Sequence, residues 1–309
     1  MVAVADELKG RSFTRVSEWS ADDLRRVLDL ADELKELQRA GREHRLLPGR
    51  SLGLLFEKPS TRTRVSFAVG IHQLGGAAIS LSSAELQLAR GETLRDTATV
   101  LSRYLDGLVV RTFAQGDVEE LARHASIPVL NGLTDDAHPC QALADVMTIR
   151  ERLGRLEGVR VAYVGDGNNM CASLMVACAR LGASFVAATP PGYEPLPRAV
   201  ETARADGEVE LTSDPAEAVA GAVVLYTDVW TSMGQEAERE RRLRDFAGFR
   251  LDRALVGRAS AGAIVLHCLP THYGEEIDED VVYGPQSAVW DQAENRLHAQ
   301  KALMALVIR

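Results

Sequence analysis

What the chain has little of narrows it first. Four cysteines, Cys140, Cys171, Cys178 and Cys268, are spread over 309 residues with no Cys-x-x-Cys pair. That spacing suits neither a zinc ligand set nor the disulfide framework of a small secreted domain, so four reduced thiols in a cytoplasmic protein are expected. Positive charge is in deficit: 35 Lys and Arg against 44 Asp and Glu leave a formal net charge of −9. A general nucleic-acid surface needs a basic face, and this balance does not supply one. A small anion site is still allowed, because local donors decide that. No apolar run approaches the ~20 residues of a membrane span. The opening "MVAVADELKGRSF" has no basic stretch leading into an apolar one, so no signal peptide is expected. Repeats and low-complexity linkers are missing too.

What is there is a rhythm. Short β-like runs at 51–56, 77–81, 107–111, 127–131, 159–165, 184–189, 222–227 and 263–269 alternate with helical patterns such as 21–40, 93–104, 139–152 and 170–181. Several of the runs are continuously apolar, as parallel strands buried on both faces are. Hydrophobic residues are 46% and charged residues 26% of the chain, enough to bury two cores. The pattern predicts an α/β fold of two doubly wound parallel-sheet domains. The expected division is 1–145 and 146–291, with 139–152 as a connecting helix and a last long helix at about 292–309.

In open α/β sheets, ligands bind beyond the carboxyl ends of the strands. After the first strand, "FEKPSTRTRVSF" sets Pro59, Ser60, Thr61, Arg62, Thr63 and Arg64 at a helix start. An ordinary cap uses one hydroxyl. The remaining hydroxyls and Arg62, with the free N–H groups and positive dipole end of the helix, make a cradle for phosphate. Arg111 ends the run 107–111; taken alone it is an ordinary surface charge. His138 precedes Pro139 at another helix start, with Gln141 one turn on, and the pair is suited to donate to one carbonyl oxygen.

The second half differs in character. "VGDGNNMCAS" follows a strand but lacks the third glycine of a dinucleotide fingerprint, and its amides suit a carboxylate or amine ligand better. "YTDVWTSMGQE" puts Asp228 beyond a strand, either as a helix cap or as a partner for an ammonium, followed by Ser232, Met233 and Gly234. "LHCLPTHYGEE" puts Cys268 at a strand's carboxyl end. A buried thiol is usually packing, but here it is placed to face a cleft. Cations and donors in one half, and an acid, amides and a thiol in the other, fit an anionic substrate meeting an amino-acid-like one.

Taken in order, "STRTR", "LQLARGETLRDTA", "HPCQALAD", "GDGNN", "DVWTSMGQE", "HCLP" and "DQAENRLHAQKAL" resemble the carbamoyltransferases over nearly the whole chain. "STRTR" and "HPxQ" are shared with the aspartate branch of that family, whereas "SMG" and the cysteine of "HCLP" mark its ornithine branch. The resemblance implies transfer of the carbamoyl group of carbamoyl phosphate to the δ-amine of L-ornithine, within arginine biosynthesis. It implies carbamoyl phosphate at Ser60, Thr61, Arg62, Thr63, Gln87, Arg111, His138, Gln141, Cys268, Leu269 and Arg296, with Gln87 reaching a neighbouring subunit's site. It implies ornithine at Asn169, Asp228, Ser232 and Met233, and catalytic parts for Arg62, Arg111, His138 and Cys268. Also implied are a homotrimer, a last helix packing back on the N-terminal domain, no nucleic-acid or membrane partner, and no metal or organic cofactor. Tyr273 and Ala68 depart from the family pattern at positions without a role above. Rival expectations are another amine acceptor such as putrescine or N-acylated ornithine, a nucleotide-dependent dehydrogenase, and a non-catalytic homologue.

Overall fold

The computed structural model describes residues 6–82 and 87–308, in two compact units. One comprises the chain up to Ala144 together with Arg296 onward; the other is Asp145–Asn295.

In the first unit, α1 (Ala21–Arg39) opens on a capping box, in which Ser20 and Asp23 each accept the other's backbone N–H at 3.1 Å. Leu24, Val27, Leu28, Ala31 and Leu34 recur at helical spacing and form its buried face. Next come β1 (Ser51–Phe56), α2 (Thr61–Gln73), β2 (Ala77–Ser82), α3 (Leu94–Leu101), β3 (Gly107–Arg111), α4 (Gln115–His124), β4 (Val129–Leu133) and α5 (Pro139–Leu153). The sheet is parallel in the order β2-β1-β3-β4. β3 is buried along its whole length, which is why "GLVVR" does not alternate. β4 starts two residues later than the run 127–131 predicts. Pro128 has no N–H to give, and the ladder begins where Val129 faces Leu108.

The second unit continues with β5 (Arg160–Val164), α6 (Asn169–Arg180), β6 (Ser184–Ala188), α7 (Pro197–Asp206), β7 (Val209–Thr212), α8 (Pro215–Val219), β8 (Val224–Thr227), α9 (Arg239–Asp245), α10 (Arg253–Val256), β9 (Ile264–His267), α11 (Glu279–Val282) and the start of α12 (Val289–Val307). Its parallel sheet runs β7-β6-β5-β8-β9. The first unit's strand order turns about β1 and the second's about β5, so both sheets are doubly wound. β7 has no counterpart among the sequence runs: "VELT" is short and carries exposed Glu210 at an edge with one neighbour, where little apolar character is needed. Around the sheet, Ala162, Val186, Leu225 and Val265 pack with Phe246, Leu251, Ile277 and Val282.

From Arg296 on, α12 is part of the first unit and is buried almost continuously. It crosses α2 closely: a Cβ on Gly70 would lie 3.0 Å from Met304 Cε and 3.2 Å from Lys301 Cγ. Lys301 is itself fully buried, with Nζ 2.9 Å from His44 Nε2. Among the described residues no helix is long and apolar enough to cross a membrane.

Burial brings the Lys301 ammonium down from 10.5 to about 8. Between those values the unfolded chain holds the proton more tightly, so folding gains stability as pH rises through that window and loses it below. The difference in unfolding free energy between wild type and Lys301→Met, read from urea titrations, should therefore grow in favour of the wild type from pH 8 toward 10.5. A difference independent of pH would contradict it.

Candidate active site

In the first unit the strand ends are tied together before any ligand is considered. Glu57 N donates to Arg111 O at 2.8 Å and Thr112 N donates to Leu133 O at 3.1 Å, so the chain leaves β1, β3 and β4 at one level. The Thr112 hydroxyl also bonds the Glu57 carboxylate. A register shift between Val110 and Arg111 marks the end of the β3–β4 ladder, and Arg111 is buried there.

At the start of α2, Ser60 is the cap, its Oγ accepting from Thr63 N at 3.2 Å. The hydroxyl of fully buried Thr63 accepts from Arg296 Nη2 at 2.6 Å. Thr61 is exposed. The Arg62 Nε is buried and has no hydrogen-bond partner among the described residues. Arg64 turns outward over the Phe56 ring. Lys58, which the sequence reading passed over, is 3% exposed and pairs with Asp135 while lying over the Phe113 ring.

His138 enters from β4 through a loop fixed by buried polar bonds. Thr134 Oγ1 donates to Gln115 Oε1 at 2.7 Å, Ala137 N donates to Thr134 Oγ1 at 3.1 Å, and Asn131 Nδ2 donates to Gln115 Oε1 at 3.1 Å. Pro139 then opens α5, with the His138 carbonyl accepting from Gln141 N and Ala142 N. Burial pushes the His138 imidazole well below its ordinary range, and the guanidiniums of Arg296, Arg111 and Arg62 push it further. The fold thus collects three cations, a neutral imidazole, buried Gln141 and a helix N-terminus. Such a set favours a multiply charged anion with a carbonyl beside it. Gln87 stands apart, exposed on the turn Gln87–Arg90, and hydrogen-bonds none of these groups.

The second unit centres on Asp228, which is 7% exposed just past β8. Its Oδ1 accepts from Cys268 Sγ at 3.0 Å and from Val229 N at 2.8 Å, and its Oδ2 accepts from Asn168 Nδ2 at 2.9 Å. Asn168 caps α6, while Asn169 is the first helical residue and half-buried. Ser232 is half-buried and Met233 exposed on the loop after Trp230. That loop is anchored by buried Arg242, whose Nη1 reaches Asp166 Oδ2 and Trp230 O, both at 2.9 Å. Burial raises the Asp166 carboxyl to about 6, with Arg242 opposing the rise. Past β9 the chain turns sharply: Leu269 has a left-handed φ of 62° and precedes a cis proline, and Leu269 N donates to His267 Nδ1 at 2.9 Å.

The glycines of "GDGNN" are accounted for without a dinucleotide. A Cβ on Gly167 would lie 2.3 Å from Pro195 N and 2.5 Å from Tyr193 O, so this glycine is needed for two loops to touch. Asp228, His267 and Cys268 offer three ligand atoms within 4.8 Å of one another, and His272, Glu275 and Glu276 offer another three. Both ring nitrogens of His267 are engaged by the protein, Nδ1 by Leu269 N and Nε2 with Glu276 at 3.2 Å. Tyr273 is exposed and Ala68 half-buried.

Residues 11–151 match the family model described as aspartate/ornithine carbamoyltransferase, carbamoyl-P binding domain. Residues 157–307 match the companion model, the Asp/Orn binding domain. The chain is 52% identical to the ornithine carbamoyltransferase of Thermococcus kodakarensis over 97% of each chain. It is 54% identical to that of Symbiobacterium thermophilum over 97% of this chain and 99% of the relative. Among solved structures, ornithine carbamoyltransferase from Pyrococcus furiosus superposes with a TM-score of 0.95 at 51% identity, over 99% of both chains. The one from Gloeobacter violaceus gives 0.86 at 48%, over 97% and 99%.

The crowding at Gly167 carries its own test. The atoms that an added methyl would strike are backbone, so Gly167→Ala should cost about 1–3 kcal/mol of stability, read as a lowered thermal midpoint. An unchanged midpoint would mean the two loops can part freely.

Proposed function

The chain belongs to the aspartate/ornithine carbamoyltransferase family, and on that premise we propose that it transfers the carbamoyl group of carbamoyl phosphate to the δ-amine of L-ornithine, giving L-citrulline and phosphate. The observation that carries this reading is the uncharged His138 among Arg62, Arg111 and Arg296 beside the N-terminus of α2.

In this reading Ser60, Thr61, Arg62 and Thr63, with the free N–H groups of α2, hold the phosphate, and Arg296 completes the grip through the Thr63 hydroxyl it already touches. Arg111, His138 and Gln141 address the carbamoyl oxygen. Because His138 is neutral it serves as a hydrogen-bond donor, and the guanidiniums supply the charge. Cys268 and Leu269 contribute main-chain groups at the left-handed turn. Asn169, Asp228, Ser232 and Met233 receive the α-amino acid end of ornithine, and the Cys268–Asp228 pair faces its amine.

The chemistry then follows from charge. A δ-ammonium has a lysine-like pKa of ~10.4 and no lone pair, so the amine must react in its neutral form. Its nitrogen bonds to the carbamoyl carbon and the carbonyl oxygen becomes an oxyanion, where each well-placed donor is worth ~3 kcal/mol. The bond to phosphate oxygen breaks, and the amine proton ends on phosphate or solvent. Holding both reactants in line supplies much of the remaining acceleration. None of these steps draws on a cofactor.

A homotrimer fits the surface. Val65 and Val69 lie one turn apart on α2 and are exposed, as is Ile79 on edge strand β2. Apolar positions of this kind are covered in an oligomer, and Gln87 would then complete a neighbour's site. Cytoplasmic residence agrees with four cysteines outside any disulfide.

Citrulline formation from ornithine and carbamoyl phosphate is the decisive assay. Putrescine and N-acetylornithine as acceptors should give little product, and a preference for either would reassign the second unit. Arg62→Ala should lower kcat/KM for carbamoyl phosphate by about 100-fold or more, as loss of a charge-assisted donor does. Turnover near wild type at low carbamoyl phosphate would remove the anion site from the mechanism.

A further inference from the structure

Asn168 joins the start of α6 to the buried Asp228 of the second unit. Its Oδ1 accepts from Met170 N at 2.9 Å and Cys171 N at 3.1 Å, which is the cap, and receives the Tyr163 hydroxyl at 3.3 Å. Its Nδ2 donates to Asp228 Oδ2 at 2.9 Å. The other oxygen of Asp228 is taken by the Cys268 thiol and Val229 N. The carboxylate is therefore held from both sides, with Asn168 fixing the side that Cys268 does not.

Few residue types can do this. Serine, threonine or aspartate would cap the helix equally well, but none of them offers an amide N–H₂ beside the acceptor oxygen. Aspartate would set a second carboxylate against Asp228, and two acids at that distance share a proton. The choice of asparagine is explained by the donor, and the cap alone does not require it.

We infer that Asn168 is a positioning residue for the reaction: through Nδ2 it sets the orientation of Asp228, and so the pairing of Asp228 with Cys268 where the acceptor amine arrives. Asn168 need not touch substrate. The inference rests on the ornithine-transfer reading above, and its test is arranged so that the two can fail separately.

Asn168→Ser keeps a capping oxygen and removes the donor; Asn168→Asp keeps the cap and adds a like charge. Loss of one hydrogen bond to a charged group should raise KM for ornithine about tenfold or more in Asn168→Ser, with KM for carbamoyl phosphate and the thermal midpoint nearly unchanged. In Asn168→Asp the acid limb of the ornithine kcat/KM profile should move upward by about one pH unit or more, because the paired carboxylates retain a proton. A purely structural cap predicts otherwise: both variants keep the capping oxygen, so both KM values and the pH profile stay at their wild-type values. That result would overturn the inference while leaving citrulline formation intact. If the wild type makes no citrulline, iodoacetamide provides an independent readout. All four thiols are buried, but Cys268 is 9% exposed against 1% or less for Cys140, Cys171 and Cys178, and burial raises those three, Cys140 to about 12, so the modification rate reports Cys268 first. Rate–pH curves for Cys268 that differ between wild type and Asn168→Ser support the coupling, and superimposable curves refute it.

Discussion

The anion site is governed by like charges held together. Arg62, Arg111 and Arg296 act on one buried histidine, and a fold that gathers guanidiniums so closely must find them relief. Part of the relief is chemical: His138 gives up its proton and leaves the three arginines without a fourth cation for company. Part is architectural, because Thr63 and the network of Asn131, Gln115 and Thr134 hold the neighbouring backbone to a defined shape. What remains is an attraction for negative charge, which a doubly charged phosphate group fits.

The same economy operates in the second unit with the signs reversed. Asp228 is a buried carboxylate whose charge is spread over an amide, a thiol and a backbone N–H. The donors on it are neutral. Asp166 is treated otherwise: it is paired outright with Arg242, and the pair secures the loop that follows Trp230. Asp166 and Asp228 would read alike in sequence; their hydrogen-bond partners separate them.

Much of this was legible in the residues. Among the described residues, eight of the nine strands lie within or close to the β-like runs, several of which are continuously apolar because central parallel strands are buried on both faces. The density of donors at Ser60–Thr63 stands out in the sequence because its hydroxyls and Arg62 exceed what a cap requires; that they cradle phosphate is part of the proposed function. Edge strand β7 was not legible, since an edge asks less of its side chains. Lys58 was passed over because a lysine before "PSTRTR" looks like surface charge, and only the fold buries it. Within "GDGNN" the sequence could not say which asparagine caps the helix and which follows it. That distinction is a matter of one residue's φ and ψ, and it decides which amide meets Asp228.

The split of α12 between the two units has a bearing on synthesis. The first unit is assembled from two segments that flank the second, and its core includes Leu303, Met304 and Leu306. Domains ordinarily consolidate in the order they leave the ribosome. Here the second unit, made of one uninterrupted segment, is complete first. The amino-terminal sheet, although translated earlier, is joined by its last helical segment, from Arg296 on, only after the whole of the second unit has been translated.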